Sequence, residues 1–145
     1  MNGSLLKQRM CRTLIVDTSV LMYIVEKRLN PIEVLFSSDD VVVCRVAIPD
    51  VVEKELLKLS QEKASRRGRV AASALLLLRE LISRNPSLFE YVRVGSMRVD
   101  VDSTIIQEAK EKNMVIATAD KKMKELAEKQ GVGVLFLRGA KGKLI

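Results

Sequence analysis

The chain has 145 residues, 48% hydrophobic and 30% charged, enough for one domain with a real core. Lys and Arg total 25 against 18 Asp and Glu, a formal charge of +7 that favours a polyanionic partner such as nucleic acid. Histidine is absent, which excludes Ser-His-Asp and Cys-His triads, histidine-ligated zinc and imidazole acid–base chemistry, and two cysteines are too few for a four-cysteine zinc site.

Lys7, Arg9 and Arg12 precede only a short apolar stretch before Asp17, so no signal peptide is expected. TLIV (13–16) reads as the first strand, and Ser19 to Leu29 as a helix. Asn30-Pro31 supplies a cap and a first-turn proline for a second, short helix. VVVCRV (41–46) is the next strand. Cys44 within it reads as a small buried thiol, with a reduced, intracellular protein as the default. Pro49 opens the helix VVEKELLKL. A long helix is predicted over 62–83, stopped by Asn85-Pro86. Its Leu run at 75–78 is cut by Arg79 and Glu80, far short of the ~18 apolar residues of a membrane span. FEYVRV (89–94), MVIAT (114–118) and VGVLFL (132–137) complete the strands, and 102–112 and 120–130 the helices. The last residues, GAKGKLI, read as a mobile basic tail.

Strand and helix alternate throughout, and several strands are continuously apolar. Both features imply one α/β domain, a three-layer α/β/α sandwich around a parallel sheet buried on both faces. Ligands of such folds sit outside the carboxyl ends of the strands. Asp17 follows the first strand and Asp120 the fourth, so both belong to that edge.

Two further acids are chosen by angle. At ~100° per residue Glu53 and Glu55 cannot share a helix face. Val51, Val52, Leu56, Leu57 and Leu59 set the apolar direction; Glu55 falls about 60° from its centre and Glu53 about 100°, so Glu55 is turned inward. The alternative is a surface glutamate paired with Lys54 or Lys58. A helix starting near Asp102 puts that residue on the side of Val101, Ile105, Ile106 and Ala109 and turns Asp100 away. A capping box of Thr104 with Gln107 would start the helix later. Asp17, Thr18 and Asp120 have plain N-capping as their alternative.

Carboxylates gathered in one cleft repel, and a divalent metal is the usual remedy. An all-oxygen donor set suits Mg2+ or Mn2+. Such a metal makes bound water more acidic and neutralises charge on a phosphoryl group. The expected chemistry is in-line hydrolysis of a phosphodiester, with one or two metals held by Asp17, Glu55, Asp102 and Asp120. Thr118 either orients a carboxylate or water, or is an ordinary strand-end threonine. Lys63, Arg66, Arg67 and Arg69, then Lys121, Lys122 and Lys124, then Lys141 and Lys143, are candidates for backbone phosphates; each alone is more simply a solvated charge. Aromatics are 3% with no Trp, so backbone or shape reading is expected over base stacking.

Taken in order, LIVDTSVLM, IPDVVEKELLKL, VDSTIIQEAKEKNMVIATADKKMKEL and GVGVLFLR resemble the PIN-domain ribonucleases, and within them the archaeal relatives of the nuclease that processes small-subunit pre-ribosomal RNA. The resemblance covers residues 12–138. LIVDTSVLM is moderately specific by itself and much more so combined with VIATAD. It implies a five-stranded parallel sheet in the order 3-2-1-4-5. It also implies that Asp17, Glu55, Asp102 and Asp120 are the four metal-binding acids and that Thr118 is the hydroxyl of a T-x-D motif. Ala119 departs from the polar residue common between that Thr and Asp, and Ser103 from a second Asp frequent in rRNA-processing relatives.

The expected function is a cytoplasmic, Mg2+- or Mn2+-dependent endoribonuclease acting on RNA, with rRNA processing as its setting and no membrane partner. The resemblance adds a homodimer as an expectation, and the Leu-rich stretch 70–82 reads as contact surface or core. The alternatives are a toxin-type PIN ribonuclease of a toxin–antitoxin pair, a catalytically weak RNA-binding or ribosome-assembly module, and a phospho-acceptor signalling domain. The last lacks an Asp-Asp pair near the first strand. High Lys, Arg, Glu and Val with four Asn and four Gln point to a thermophile.

Overall fold

Strands without a polar face need cover on both sides. Leu14, Ile15 and Val16 are fully buried, as are Ile116 and Ala117, with Val115 nearly so. The computed structural model describes residues 10–94, 100–139 and 142–145; Lys7, Arg9 and Lys141 lie outside them. In chain order the elements are β1 (Arg12–Val16), α1 (Thr18–Glu26), α2 (Pro31–Phe36), β2 (Val43–Pro49), α3 (Asp50–Ser60), α4 (Arg66–Arg84), β3 (Phe89–Val92), α5 (Val101–Lys112), β4 (Val115–Thr118), α6 (Lys121–Lys129), β5 (Val134–Arg138) and β6 (Lys143–Leu144).

The sheet runs β3-β2-β1-β4-β5-β6. The first five strands pair in parallel, so helices make the crossovers and flank the sheet. The sixth strand corrects the expectation of five. Residues predicted as a loose tail turn back at Gly139 and Gly142, both at positive φ (84° and 66°), and pair antiparallel with β5, Leu137 opposite Leu144. Leu144 is buried, and Lys143 meets Asp39 at 2.9 Å.

Two boundaries move for local reasons. β2 begins at Val43 and continues to Pro49, not over 41–46, because β3 pairs with Val46 through Pro49 and carries the strand on past Val46. The long helix starts at Arg66 because Ser65 caps it, its hydroxyl accepting the Gly68 N–H at 3.0 Å. That helix gives Leu75, Leu78 and Leu81 to the core and leaves Leu76 exposed. Asp100 caps α5 through the Ser103 N–H at 2.7 Å, so no Thr104 capping box forms.

The cysteines overturn one expectation. Cys44 is not a free thiol: it is joined to Cys11, with the two Cα atoms 5.3 Å apart. The β1–β2 register sets Arg12 beside Val43, which brings the flanking Cys11 and Cys44 within disulfide reach. Among the described residues no helix is long and apolar enough to cross a membrane.

Candidate active site

Adjacent parallel strands deliver their following residues side by side. β1 ends in Val16 and β4 in Thr118, with Val16 paired to Ala117, so Asp17 and Thr118 emerge together. Asp17 caps α1 and is 3% exposed. Its Oδ1 accepts from the Ser19 hydroxyl at 2.6 Å and the Val20 N–H at 3.2 Å, and its Oδ2 accepts from the Thr118 hydroxyl at 2.5 Å. Burial raises its pKa from 3.8 to about 6, against the opposing pull of these three donors; the charge on Asp102 adds to the rise.

The other three acids arrive from different elements. Glu55, half-buried on α3, accepts a short hydrogen bond from the Thr18 hydroxyl. Asp102 stands half-buried in the first turn of α5, its pKa raised by burial and then by Asp120, Asp100 and Glu55, with Lys122 opposing. Asp120 caps α6, accepting from the Lys122 N–H at 2.9 Å, and its own N–H donates to Thr118 Oγ1 at 3.0 Å. Asp17 and Asp120 thus cap their helices and also line one cavity. Glu53 turns the other way, accepting from the Tyr91 hydroxyl at 2.9 Å and meeting Arg79 at 3.4 Å.

Asp17, Glu55, Asp102 and Asp120 line one cavity of about 490 Å³, together with Thr18, Ser19 and Arg67. The donor set fits a hard divalent cation: it is all oxygen, and neighbouring carboxylate charge adds to the raised pKa of Asp17 and of Asp102, the repulsion a cation relieves. Among the described residues no three of them are gathered as direct ligation of one ion needs.

Thr118 ties the floor together. Its hydroxyl donates to Asp17 and accepts from the Asp120 amide. Thr118→Val keeps the volume and leaves the Asp17 Oδ2 and the Asp120 N–H without that partner. We expect the urea midpoint to fall by the equivalent of about 2 kcal/mol. An unchanged midpoint would show that the hydroxyl positions nothing.

Two residues of this floor escape a reading of the chain by segments. Ser19 donates to Asp17 and accepts the Ala119 N–H at 2.9 Å, bridging β1 and β4 ends. Thr18 reaches across to Glu55. Their signal is adjacency to Asp17 in D-T-S. The contact at Ala119 is made by its backbone, so its lack of a polar side chain leaves the floor intact.

The basic residues separate. Arg67 lines the carboxylate cavity. Arg66 and Arg69 line a neighbouring one with Arg28. Lys122 lies within electrostatic reach of Asp102. Lys63 and Lys121 are exposed beside these elements. Lys124 and Lys143 are engaged elsewhere, by Glu128 at 3.2 Å and by Asp39.

No family model matches the sequence. Ribonuclease VapC9 of Archaeoglobus fulgidus is 29% identical over 127 residues, which are 88% of this chain and 84% of that protein. Among solved structures, the PIN domain endonuclease Utp24 superposes with a TM-score of 0.66 at 24% identity, over 91% of this chain and 90% of that one. A domain of a functionally unknown protein from Methanocaldococcus jannaschii gives 0.61 at 22% identity, over 89% and 93%. VapBC2 from Rickettsia felis, bound to a DNA fragment from its promoter, gives 0.53 at 17% identity, over 84% and 96%.

Proposed function

We propose that this chain, which has the PIN-domain fold, is a divalent-metal-dependent endoribonuclease. The observation that carries the reading is the convergence of Asp17, Glu55, Asp102 and Asp120 on one cavity at the carboxyl edge of the sheet, beside Arg67. The likeness to a ribonuclease over 88% of the chain supports it. Mg2+ or Mn2+ held by these four acids would acidify a water and offset the charge of the phosphoryl group.

The protein's own groups supply the rest. Water attacks phosphorus, one P–O bond forms, and the bond to the leaving oxygen breaks, with the water's proton ending on that oxygen. Arg67 binds the phosphate whose charge would otherwise be repelled by the acids. Thr118, Ser19 and Thr18 fix Asp17 and Glu55 by hydrogen bonds. Asp120 is exposed and Asp102 half-buried, so they face the substrate side while Asp17 forms the floor. Lys63, Arg66, Arg69, Lys121 and Lys122 extend the positive surface for the RNA backbone.

The setting we favour is RNA processing in the cytoplasm. A cytoplasmic setting is compatible with the Cys11–Cys44 bond in a hyperthermophilic host, where intracellular disulfides persist. The likeness to VapC9 and VapBC2 favours a second reading, a toxin-type ribonuclease held by an antitoxin. Growth arrest on expression, reversed by a small neighbouring gene, would select the second.

The catalytic reading is tested by metal removal. Protein stripped with EDTA should leave labelled RNA intact, and Mn2+ should restore cutting and release heat on titration. Cleavage that persists in EDTA, or no manganese uptake, would overturn it.

A further inference from the structure

The carboxylate cavity shares walls with two others. Through Glu26 it adjoins a shallow cavity of about 220 Å³ between α1 and α4, lined by Arg28, Arg66, Arg69 and Ser73. Through Glu55 it adjoins one of about 430 Å³ lined by Val51, Lys58, Val94 and Val101.

The first of these has an unfavourable charge pattern. Arg66, Arg67 and Arg69 occupy the first turn of α4, which carries no acid, so three cations sit at the positive end of the helix dipole. Arg28 is added from the end of α1, its backbone at a φ of 55°. Among the described residues none of Arg28, Arg66 and Arg69 is in an ion pair, although Arg69 donates to the Ala64 carbonyl at 3.0 Å. Glu26 is the one acid in that lining. A bound anion relieves both the mutual repulsion and the clash with the dipole.

The other cavity has the opposite character. Val51, Val94 and Val101 make aliphatic walls, and Asp50 fixes one of them by accepting the Val94 N–H at 3.2 Å. Lys54 is drawn to Asp50 at 3.8 Å, whereas Lys58 is in no ion pair among the described residues. The space admits one nucleobase, with a cation at its rim for the adjoining phosphate.

We propose that the three cavities form one path for a single RNA strand. Arg28, Arg66 and Arg69 hold a backbone phosphate on one side of the bond to be cut. The Val51–Val94–Val101 pocket takes an unstacked base on the other. This rests on the endoribonuclease reading and adds to it a length requirement: a substrate must reach both ends to bind well.

The test compares labelled single-stranded RNA of roughly ten nucleotides with a trinucleotide. The variants are Arg28→Ala with Arg66→Ala, Lys58→Ala, and Lys129→Ala as a control of like charge away from the path. For the longer RNA, KM should rise at least roughly fivefold in the first two variants, with kcat changed less than about twofold. Their preference for long over short RNA should shrink, and Lys129→Ala should match the wild type. In metal-free buffer, fluorescence anisotropy should show the salt slope of binding reduced by about 0.7 for each phosphate the variant no longer neutralises. Binding indifferent to both ends, or all three variants alike, overturns the path. Wild type that binds with this pattern but never cuts overturns the catalytic reading and leaves the path standing.

Discussion

Asp17→Asn is expected to abolish cleavage and to make the metal-free protein more stable at neutral pH. Asp17 is buried, and its folded pKa of about 6 lies above the ordinary 3.8. The folded state thus holds a proton that the unfolded chain releases. As pH rises from 3.8 through about 6, the wild type loses stability, and above that window the loss is complete, about 3 kcal/mol. Asparagine carries no charge to desolvate. Its oxygen can accept from Ser19 and Val20 as Oδ1 does now, so the α1 cap survives. Its nitrogen can donate to Thr118 Oγ1, which rotates to release its own proton elsewhere. The melting temperature at pH 8 should therefore rise by roughly 10 °C. The gap should close toward pH 4, where Asp17 is protonated, and, on the proposed metal-dependent reading, narrow in excess Mn2+, which should stabilise the wild type more than the variant. Cleavage should fall at least on the order of a hundredfold. Equal cutting by both proteins would remove Asp17 from the site, and an Asn variant less stable at pH 8 would contradict the buried carboxylate.

That opposition between stability and activity also explains which site residues are conspicuous along the chain. A charged residue following a continuously apolar strand is easily seen, and Asp17 and Asp120 stand out because β1 and β4 have no polar face to confuse them. Glu55 is separable from Glu53 because helix angles are fixed, and Glu53 meets Tyr91 and Arg79 as an outward residue should. What stays hidden depends on contacts between distant segments. Ser19 belongs to the site through Ala119, one hundred residues away. Arg28 joins Arg66 and Arg69 only because α1 packs on α4. The disulfide follows from β1–β2 register, which no local pattern states. β6 has two residues and no periodicity, and it exists because two glycines reverse the chain toward an open edge.

Gly68 sets two principles against each other. By helix propensity, Gly68→Ala in the first turn of α4 should stabilise by about 1 kcal/mol. By geometry it cannot. A Cβ at that position would lie 1.9 Å from the Glu62 carbonyl oxygen and 2.6 Å from its carbon. Those are backbone atoms, unable to rotate aside. The same carbonyl accepts from the Ser65 N–H at 3.1 Å and the Ser65 hydroxyl at 3.0 Å, and Ser65 in turn caps the helix through the Gly68 N–H. Relief of the clash thus breaks the turn that starts α4. We expect a net loss on the order of 3 kcal/mol, seen as a lower urea midpoint with unchanged slope. Gly133→Ala, whose Cβ would meet only Val115 Cγ2 at 3.8 Å, should change stability by less than about 0.5 kcal/mol. Molecules of Gly68→Ala that remain folded should also bind RNA more weakly, because Arg67, the adjacent residue, lines the carboxylate cavity. A stabilised Gly68→Ala protein would mean that the α3–α4 turn does not press on Gly68, and that Arg67 is kept at the carboxylate cavity by something other than this turn.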